Sequence, residues 1–294
     1  MCRRAAVGSI PGSVNIAWSN VVPWAELRQV EQDLIISRAI LDLFSDPFLR
    51  HELRFRGGTA LNRLHFPVPV RYSEDIDLVR TSAGPIGPVL DRVRQCLEPW
   101  LGHENFAQSP VAPKLRFRTQ AEDATAPIRL KVEINAAEIE AYDVQQVIPF
   151  RVENPWFTRN ADIPTFSREE ILATKLRALL QRDRGRDLFD LAHSLDVFHG
   201  LNAVNVVRFF GQYLERSGLR ISRAEAEQRM FAKLNDPGLL ADVRPLLAAA
   251  QAKNLTHETM KAALSKVFSQ FVVLFPGEPW ARSEDMKRRF QVSL

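Results

Sequence analysis

LRFRGGTALNRLHFPVPVRYSEDIDL, Leu53 to Leu78, is the stretch from which the rest of the chain is read. Leu53 and Phe55 alternate with arginines as in a strand. The run breaks at Gly57-Gly58 and resumes as a short helix at Thr59-Ala60-Leu61. Asp75-Ile76-Asp77-Leu78 then places two carboxylates at spacing two inside an apolar segment. On a strand, successive side chains point to opposite faces. Asp75 and Asp77 therefore share one face, while Ile76 and Leu78 enter a core. Parallel carboxylates repel unless a cation lies between them. A hard divalent ion with oxygen ligands, Mg²⁺ for preference, suits that position.

A strand is also expected at Ile128–Asn135, where Ile128, Leu130, Val132 and Ile134 share one face. Arg129, Lys131, Glu133 and Asn135 share the other. A lone Glu on a polar face is usually solvated. Were this strand to neighbour the Asp-x-Asp strand, Glu133 would complete a three-carboxylate, two-metal site of the kind that promotes phosphoryl-type displacement. The Gly57-Gly58-Thr59 turn would supply the other half, because glycine lets a backbone approach a phosphate closely and the N–H groups opening a helix favour negative charge. A Gly-Gly pair alone is most often a plain turn; the downstream Asp-x-Asp gives it meaning.

Composition bounds the alternatives. The chain has 294 residues, 46% hydrophobic and 25% charged, which is ordinary for a globular protein. It has no apolar run of roughly the eighteen residues a membrane helix needs, and no signal-peptide pattern. Cys2 and Cys96 are the only cysteines, too few for a disulfide framework and compatible with a cytoplasmic location. The six histidines show no zinc-ligand spacing. Net charge is +4, with basic clusters at 129–131, 182–187 and 287–289. Such clusters are often solvated surface, and equally fit an anionic partner.

The element pattern predicts an α+β fold. One long helix is expected from Trp24 to about Leu49, a helix through Val89–Leu97, and strands at Lys114–Thr119, Ile128–Asn135 and Val144–Phe150. After residue 160 only helices are expected, dividing the chain into domains 1–160 and 161–294. Ser167 and Glu170 read as a capping box before a helix to about Gln181. Further helices are expected at 186–198, 203–216, 222–234, 238–252 and 256–274. Lys175 falls on the apolar stripe of Ile171, Leu172, Leu176 and Leu179. It either snorkels from the stripe's edge or reaches a triphosphate. Asp187 and Asp190, three apart on one helix face, can orient Lys175 or pair with an arginine.

These motifs, Gly57-Gly58-Thr59-Ala60-Leu61, Ser73-Glu74-Asp75-Ile76-Asp77-Leu78, Leu130-Lys131-Val132-Glu133-Ile134-Asn135, Lys175-Leu176-Arg177 and Arg186-Asp187-Leu188-Phe189-Asp190-Leu191, resemble in order those of the AbiEii/AbiGii toxin family, including its mycobacterial MenT branch. The resemblance spans about residues 50–195. It implies a DNA polymerase β-type nucleotidyltransferase domain with a mixed sheet, followed by an all-helical domain. It implies that Gly57, Gly58 and Thr59 grip the nucleotide, that Asp75 and Asp77 bind Mg²⁺ with Glu133 as third carboxylate, that Lys175 contacts the phosphates and that Asp187 is an essential acid. Ser73 would sit near the triphosphate, as a contact or modification point. The spacing from Gly58 to Asp75 is long for the wider superfamily and suits this toxin family.

The implied function is that of a toxin in a toxin–antitoxin system, transferring nucleotides from an NTP to the 3′ end of tRNA with two Mg²⁺ ions and thereby blocking aminoacylation. Its implied partners are the tRNA acceptor end and a cognate antitoxin. Transfer to a protein or small-molecule hydroxyl would use the same donor half-site. A catalytically inactive nucleotide-binding module is the third reading.

Overall fold

The computed structural model describes residues 12–107, 109, 111–123, 126–234, 236 and 238–291. Cys2 lies outside the described residues, and Cys96 is a free thiol. The chain divides into two compact units, Met1–Phe166 and Ser167–Leu294.

The first unit opens with α1 (Gly12–Ser19), α2 (Leu27–Ser45) and α3 (Pro47–Glu52). The single helix expected from Trp24 to Leu49 is thus divided. A proline disfavours the helical region for its predecessor, and Asp46 is extended at φ −77°, ψ 121°. Its carboxylate then caps α3 by accepting from the Leu49 N–H at 3.0 Å. Strand β1 (Leu53–Arg56) runs directly into α4 (Gly57–Ala60) and a π-helical turn, Leu61–His65. β2 (Asp75–Arg80) and α5 (Gly87–Leu101) follow, then β3 (Asn105–Ala107), β4 (Lys114–Gln120), β5 (Pro127–Asn135), β6 (Gln146–Asn154) and β7 (Phe157–Thr165).

These strands form one mixed sheet in the order β3-β4-β5-β2-β1-β7-β6. β2 runs parallel to β5 and β1 parallel to β7; the other neighbours are antiparallel. β3 and β7 go beyond the expected strands, and β7 carries strand structure to Thr165, past residue 160, after which only helices are expected. Its sequence, FTRNADIPT, carries no clean alternation, and it is held by its hairpin with β6. One sheet face is apolar: Leu53, Phe55, Ile76, Leu78, Phe117 and Val132 are buried. Helix α2 covers this face across β7, β5 and β2, and α5 packs on β4. Each large side chain so buried contributes roughly 1.5–3 kcal/mol. The opposite face carries Arg54 and Arg56 of β1, Asp75 and Asp77 of β2, Lys114, Arg116 and Arg118 of β4, and Arg129, Lys131 and Glu133 of β5, while Arg80 at the end of β2 is buried on the apolar side and pairs with Glu52 at 2.9 Å.

The second unit is helical throughout its described residues: α6 (Arg168–Gln181), α7 (Gly185–Val197), α8 (Ala203–Arg216), α9 (Arg223–Lys233), α10 (Gly238–Val243), α11 (Ala249–Asn254), α12 (His257–Gln270) and α13 (Ser283–Phe290). The helix expected over 238–252 is interrupted at Pro245, which lies in a short 3₁₀ turn, Arg244–Leu246. At α6 the Ser167 hydroxyl accepts from the Glu170 N–H, while the Glu170 carboxylate accepts from the Tyr213 hydroxyl at 2.8 Å. At α9, Ser222 and Glu225 form the full reciprocal box. Helix α6 packs on α7, α8 and α9, and α7 also meets α10 and α12. The core includes Leu172, Leu176, Leu188, Phe209, Phe231 and Phe268.

Candidate active site

Strand register assembles the carboxylates of the first unit. Asp77 on β2 is the cross-strand partner of Glu133 on β5, and Asp75 is the partner of Lys131. On the other side of β2, Asp77 faces Arg56 of β1; on the other side of β5, Glu133 faces Lys114 of β4. The charged face therefore reads Lys114, Glu133, Asp77, Arg56 across four strands.

The Lys131 ammonium stands 2.8 Å from Asp75 and 3.2 Å from Glu133, and Lys114 lies 3.4 Å from Glu133. Burial works against the Lys131 charge, but its hydrogen bond to Asp75 and the surrounding carboxylates outweigh this and raise its pKa. An edge of Asp77 stays open to solvent, yet crowding by protein, and then the Asp75 charge, push its carboxyl above the ordinary range; Arg56 and Lys131 pull the other way.

The glycine turn fits this carboxylate closely. Gly57 has φ +80°, and a Cβ placed on it would stand 2.4 Å from Asp77 Oδ2. Its missing side chain is thus needed first to admit Asp77. Gly58 is buried, and its carbonyl accepts from Asn62 Nδ2 at 3.0 Å. Thr59 is buried as well. Its hydroxyl donates to the Asp75 carbonyl and lies 2.8 Å from the Ser73 hydroxyl, which ties α4 to the start of β2. Asn62 Oδ1 accepts from the Val70 and Arg71 N–H groups, fixing the Pro-rich link. Sequence spacing carries no sign of this Asn62 role.

A second charged cluster lies inside the helical unit. Lys175 is 8% exposed and its ammonium stands 2.8 Å from Asp190 and 3.2 Å from Asp187. Arg182 adds a fork to Asp187, with Nε at 2.8 Å and Nη2 at 3.1 Å. Burial alone would raise the Asp187 carboxyl, but Lys175 and Arg182 outweigh it and hold that carboxyl below the usual range. Asp187 thus pairs with Lys175 and with an arginine at once.

Oxygen donors at Asp75 and Asp77 suit a hard divalent ion, and Mg²⁺ is commonly held by one or two carboxylates with substrate phosphates completing its shell. Among the described residues, no three His, Cys, Asp or Glu side chains converge into a ready metal-holding group. Glu133 is aligned with Asp77 by the register but is engaged by the two lysines. The residues therefore fit a pair of aspartate ligands whose remaining positions come from elsewhere.

Comparison with known proteins now decides the family. Residues 38–270 match the family model described as the nucleotidyl transferase AbiEii toxin of type IV toxin–antitoxin systems. The chain belongs to the AbiEii family. Its structure is similar to that of MenT4, the nucleotidyltransferase toxin Rv2826c from Mycobacterium tuberculosis H37Rv, at 17% identity and a TM-score of 0.59, covering 99% of this chain and 97% of that one. It is also similar to JHP933 from Helicobacter pylori, at 18% identity and a TM-score of 0.53, covering 91% of this chain and 97% of that one. At these identities the likeness speaks for the fold. Among curated proteins, none matches the chain. This AbiEii-type protein is a nucleotidyltransferase toxin by family, with the mixed α+β fold the motifs predict. None of its described helices is long and apolar enough to cross a membrane.

Proposed function

We propose that this AbiEii toxin acts in the cytoplasm, transferring nucleotides from an NTP to the 3′ end of tRNA with Mg²⁺ as cofactor, and that a cognate antitoxin restrains it. The observation that carries this reading is the register of β2 against β1 and β5. It sets Asp75 and Asp77 on one charged face, beside a glycine turn shaped around Asp77.

In the proposed reaction the 3′-hydroxyl of the acceptor attacks the α-phosphate, a new O3′–phosphorus bond forms, and the bond to the β-phosphate oxygen breaks to release pyrophosphate. Bound Mg²⁺, held by Asp75 and Asp77, would supply charge neutralisation at the phosphates. The chain's own residues position the parts. Thr59 anchors the start of β2 through the Asp75 carbonyl, keeping the aspartates in place relative to the turn. Arg56 and Lys131 offset the carboxylates from either side. Ser73, beside Thr59, is proposed as a nucleotide contact. Lys175 is proposed to contact the nucleotide phosphates, with Asp187 and Asp190 holding its ammonium in one position and Asp187 as the essential acid. Positioning and electrostatics are the main levers in phosphoryl-type transfer, so rigidly held charges are what the reaction requires.

The test is incubation of purified protein with total tRNA, Mg²⁺ and each α-labelled NTP in turn, alongside Asp77→Ala. Label entering tRNA with the wild type alone supports the reading and names the nucleotide. Label entering tRNA equally with Asp77→Ala overturns the site assignment. Absence of label with every NTP, from protein that binds nucleotide, moves the acceptor to a protein or small molecule.

A further inference from the structure

The charged sheet face continues past the carboxylates into a ladder of cations. Register places Arg116 of β4 opposite Lys131 of β5, and Arg118 opposite Arg129. Arg116, Arg118 and Arg129 are exposed and make no ion pair among the described residues. Like charges in directly opposed cross-strand positions are destabilising. A solvated basic surface would more cheaply alternate its signs, as the Lys114–Glu133 pair one step along the same two strands does. The ladder also has a direction. From the Arg118–Arg129 pair it passes to Arg116–Lys131, and Lys131 touches both Asp75 and Glu133. Successive rungs are two residues apart on each strand, roughly 6.6–6.8 Å of rise.

We infer that this β4–β5 face is a track for the phosphate backbone of an RNA whose end is delivered to Asp75 and Asp77. The occupant must be a polyanion with regularly spaced charges, because consecutive rungs are cationic and the next position along the track is the carboxylate pair. Arginine and lysine bind phosphates without reading sequence. The track thus positions the acceptor and leaves nucleotide choice to the rest of the site. This inference rests on the proposed transfer to RNA.

The decisive experiment compares the wild-type protein with the triple variant Arg116→Ala, Arg118→Ala, Arg129→Ala. Binding of fluorescently labelled tRNA is followed by anisotropy across a salt series, together with Mg²⁺-dependent NTP binding, thermal midpoint and label transfer. The expected result is weaker tRNA binding with a salt slope shallower by about 2–3, as loss of three phosphate contacts requires. NTP binding should be unchanged, and the midpoint equal or higher because opposed charges have been removed. The triple Lys variant at the same positions should bind tRNA like the wild type, since phosphate contact needs only the charge. An alanine variant with wild-type affinity and slope overturns the track while leaving the transferase reading standing. A wild type that binds no tRNA at low salt overturns both. Salt-steep binding lost in the alanine variant, with no label transferred by the wild type, supports the track and sinks tRNA transfer.

Discussion

Gly57 and Asp77 occupy one another's space: a Cβ on Gly57 would lie 2.4 Å from Asp77 Oδ2 and 3.1 Å from its Cβ and Cγ. Gly57→Ala therefore adds backbone strain at φ +80°, about 1–2 kcal/mol, and also displaces the carboxylate. A displacement of about 1 Å can cost on the order of a hundredfold in rate. We expect Gly57→Ala to lose most nucleotidyl transfer while its thermal midpoint falls only modestly. Gly84→Ala is the matched control. Gly84 has φ +145°, and a Cβ placed on it would meet only Arg80 Nη2, at 3.8 Å, so strain comes without any contact with the site. Equal activity loss in the two variants would remove the Gly57–Asp77 contact as the cause.

Asp75 and Asp77 repel each other across one sheet face, so replacing one of them should relieve strain in the metal-free protein. Asp77→Asn is expected to abolish transfer and to leave the metal-free thermal midpoint unchanged or raised. Added Mg²⁺ should stabilise the wild type by about 2.7 kcal/mol at a hundred times its dissociation constant, and should do so far less in Asp77→Asn. Calorimetric or fluorescence melts with and without MgCl₂ check this. A variant stabilised by Mg²⁺ as strongly as the wild type would show that the ion binds elsewhere.

Asp187 anchors Lys175 and Arg182 inside the helical unit and is itself fully buried. Asp187→Asn keeps the shape and removes the charge, leaving the buried Lys175 ammonium with Asp190 as its remaining acidic partner. Breaking such a buried pair costs about 3–5 kcal/mol, read from denaturant midpoints at neutral pH. The sign with pH follows from the Asp187 carboxyl lying below its unfolded value. Its stabilisation is present above the unfolded carboxylate pKa, about 3.9, and is lost as pH falls through the depressed folded value. Wild type and Asp187→Asn should therefore converge in stability on acidification. A gap that stays constant down to pH 2 would rule out the charge as its source.

Local periodicity made part of this legible beforehand. The shared face of Asp75 and Asp77 follows from strand alternation alone, as does the burial of Ile76 and Leu78. The same alternation placed Lys131 beside Glu133. What it could not supply was register: whether Lys131 or Glu133 stands opposite Asp75 is decided by how β5 pairs with β2, and a shift of two residues would exchange them. The Asp33 carboxylate, which accepts from the Trp18 and Trp24 indoles and from Arg63, joins residues too far apart in the chain for spacing to connect. At Pro47 and Pro245 the apolar periodicity on either side runs straight through the proline, so one helix is expected where the chain makes separate elements. β7 was illegible because FTRNADIPT takes its conformation from β6 and β1 rather than from its own pattern.

Lys131 holds the oxygen atoms that a divalent ion would seek, with its ammonium 2.8 Å from Asp75 and 3.2 Å from Glu133. Ammonium and metal ion compete for the same negative charge, so binding one weakens the other. Lys131→Gln should tighten divalent binding a few-fold in the absence of nucleotide, measured by titration calorimetry with Mn²⁺ or Mg²⁺, because the carboxylates lose their internal counterion. Transfer to RNA should nevertheless fall, since the last rung before the carboxylates is gone. The opposite pairing of results, weaker metal binding with transfer unchanged, would make Lys131 a support that orients Asp75 rather than its competitor.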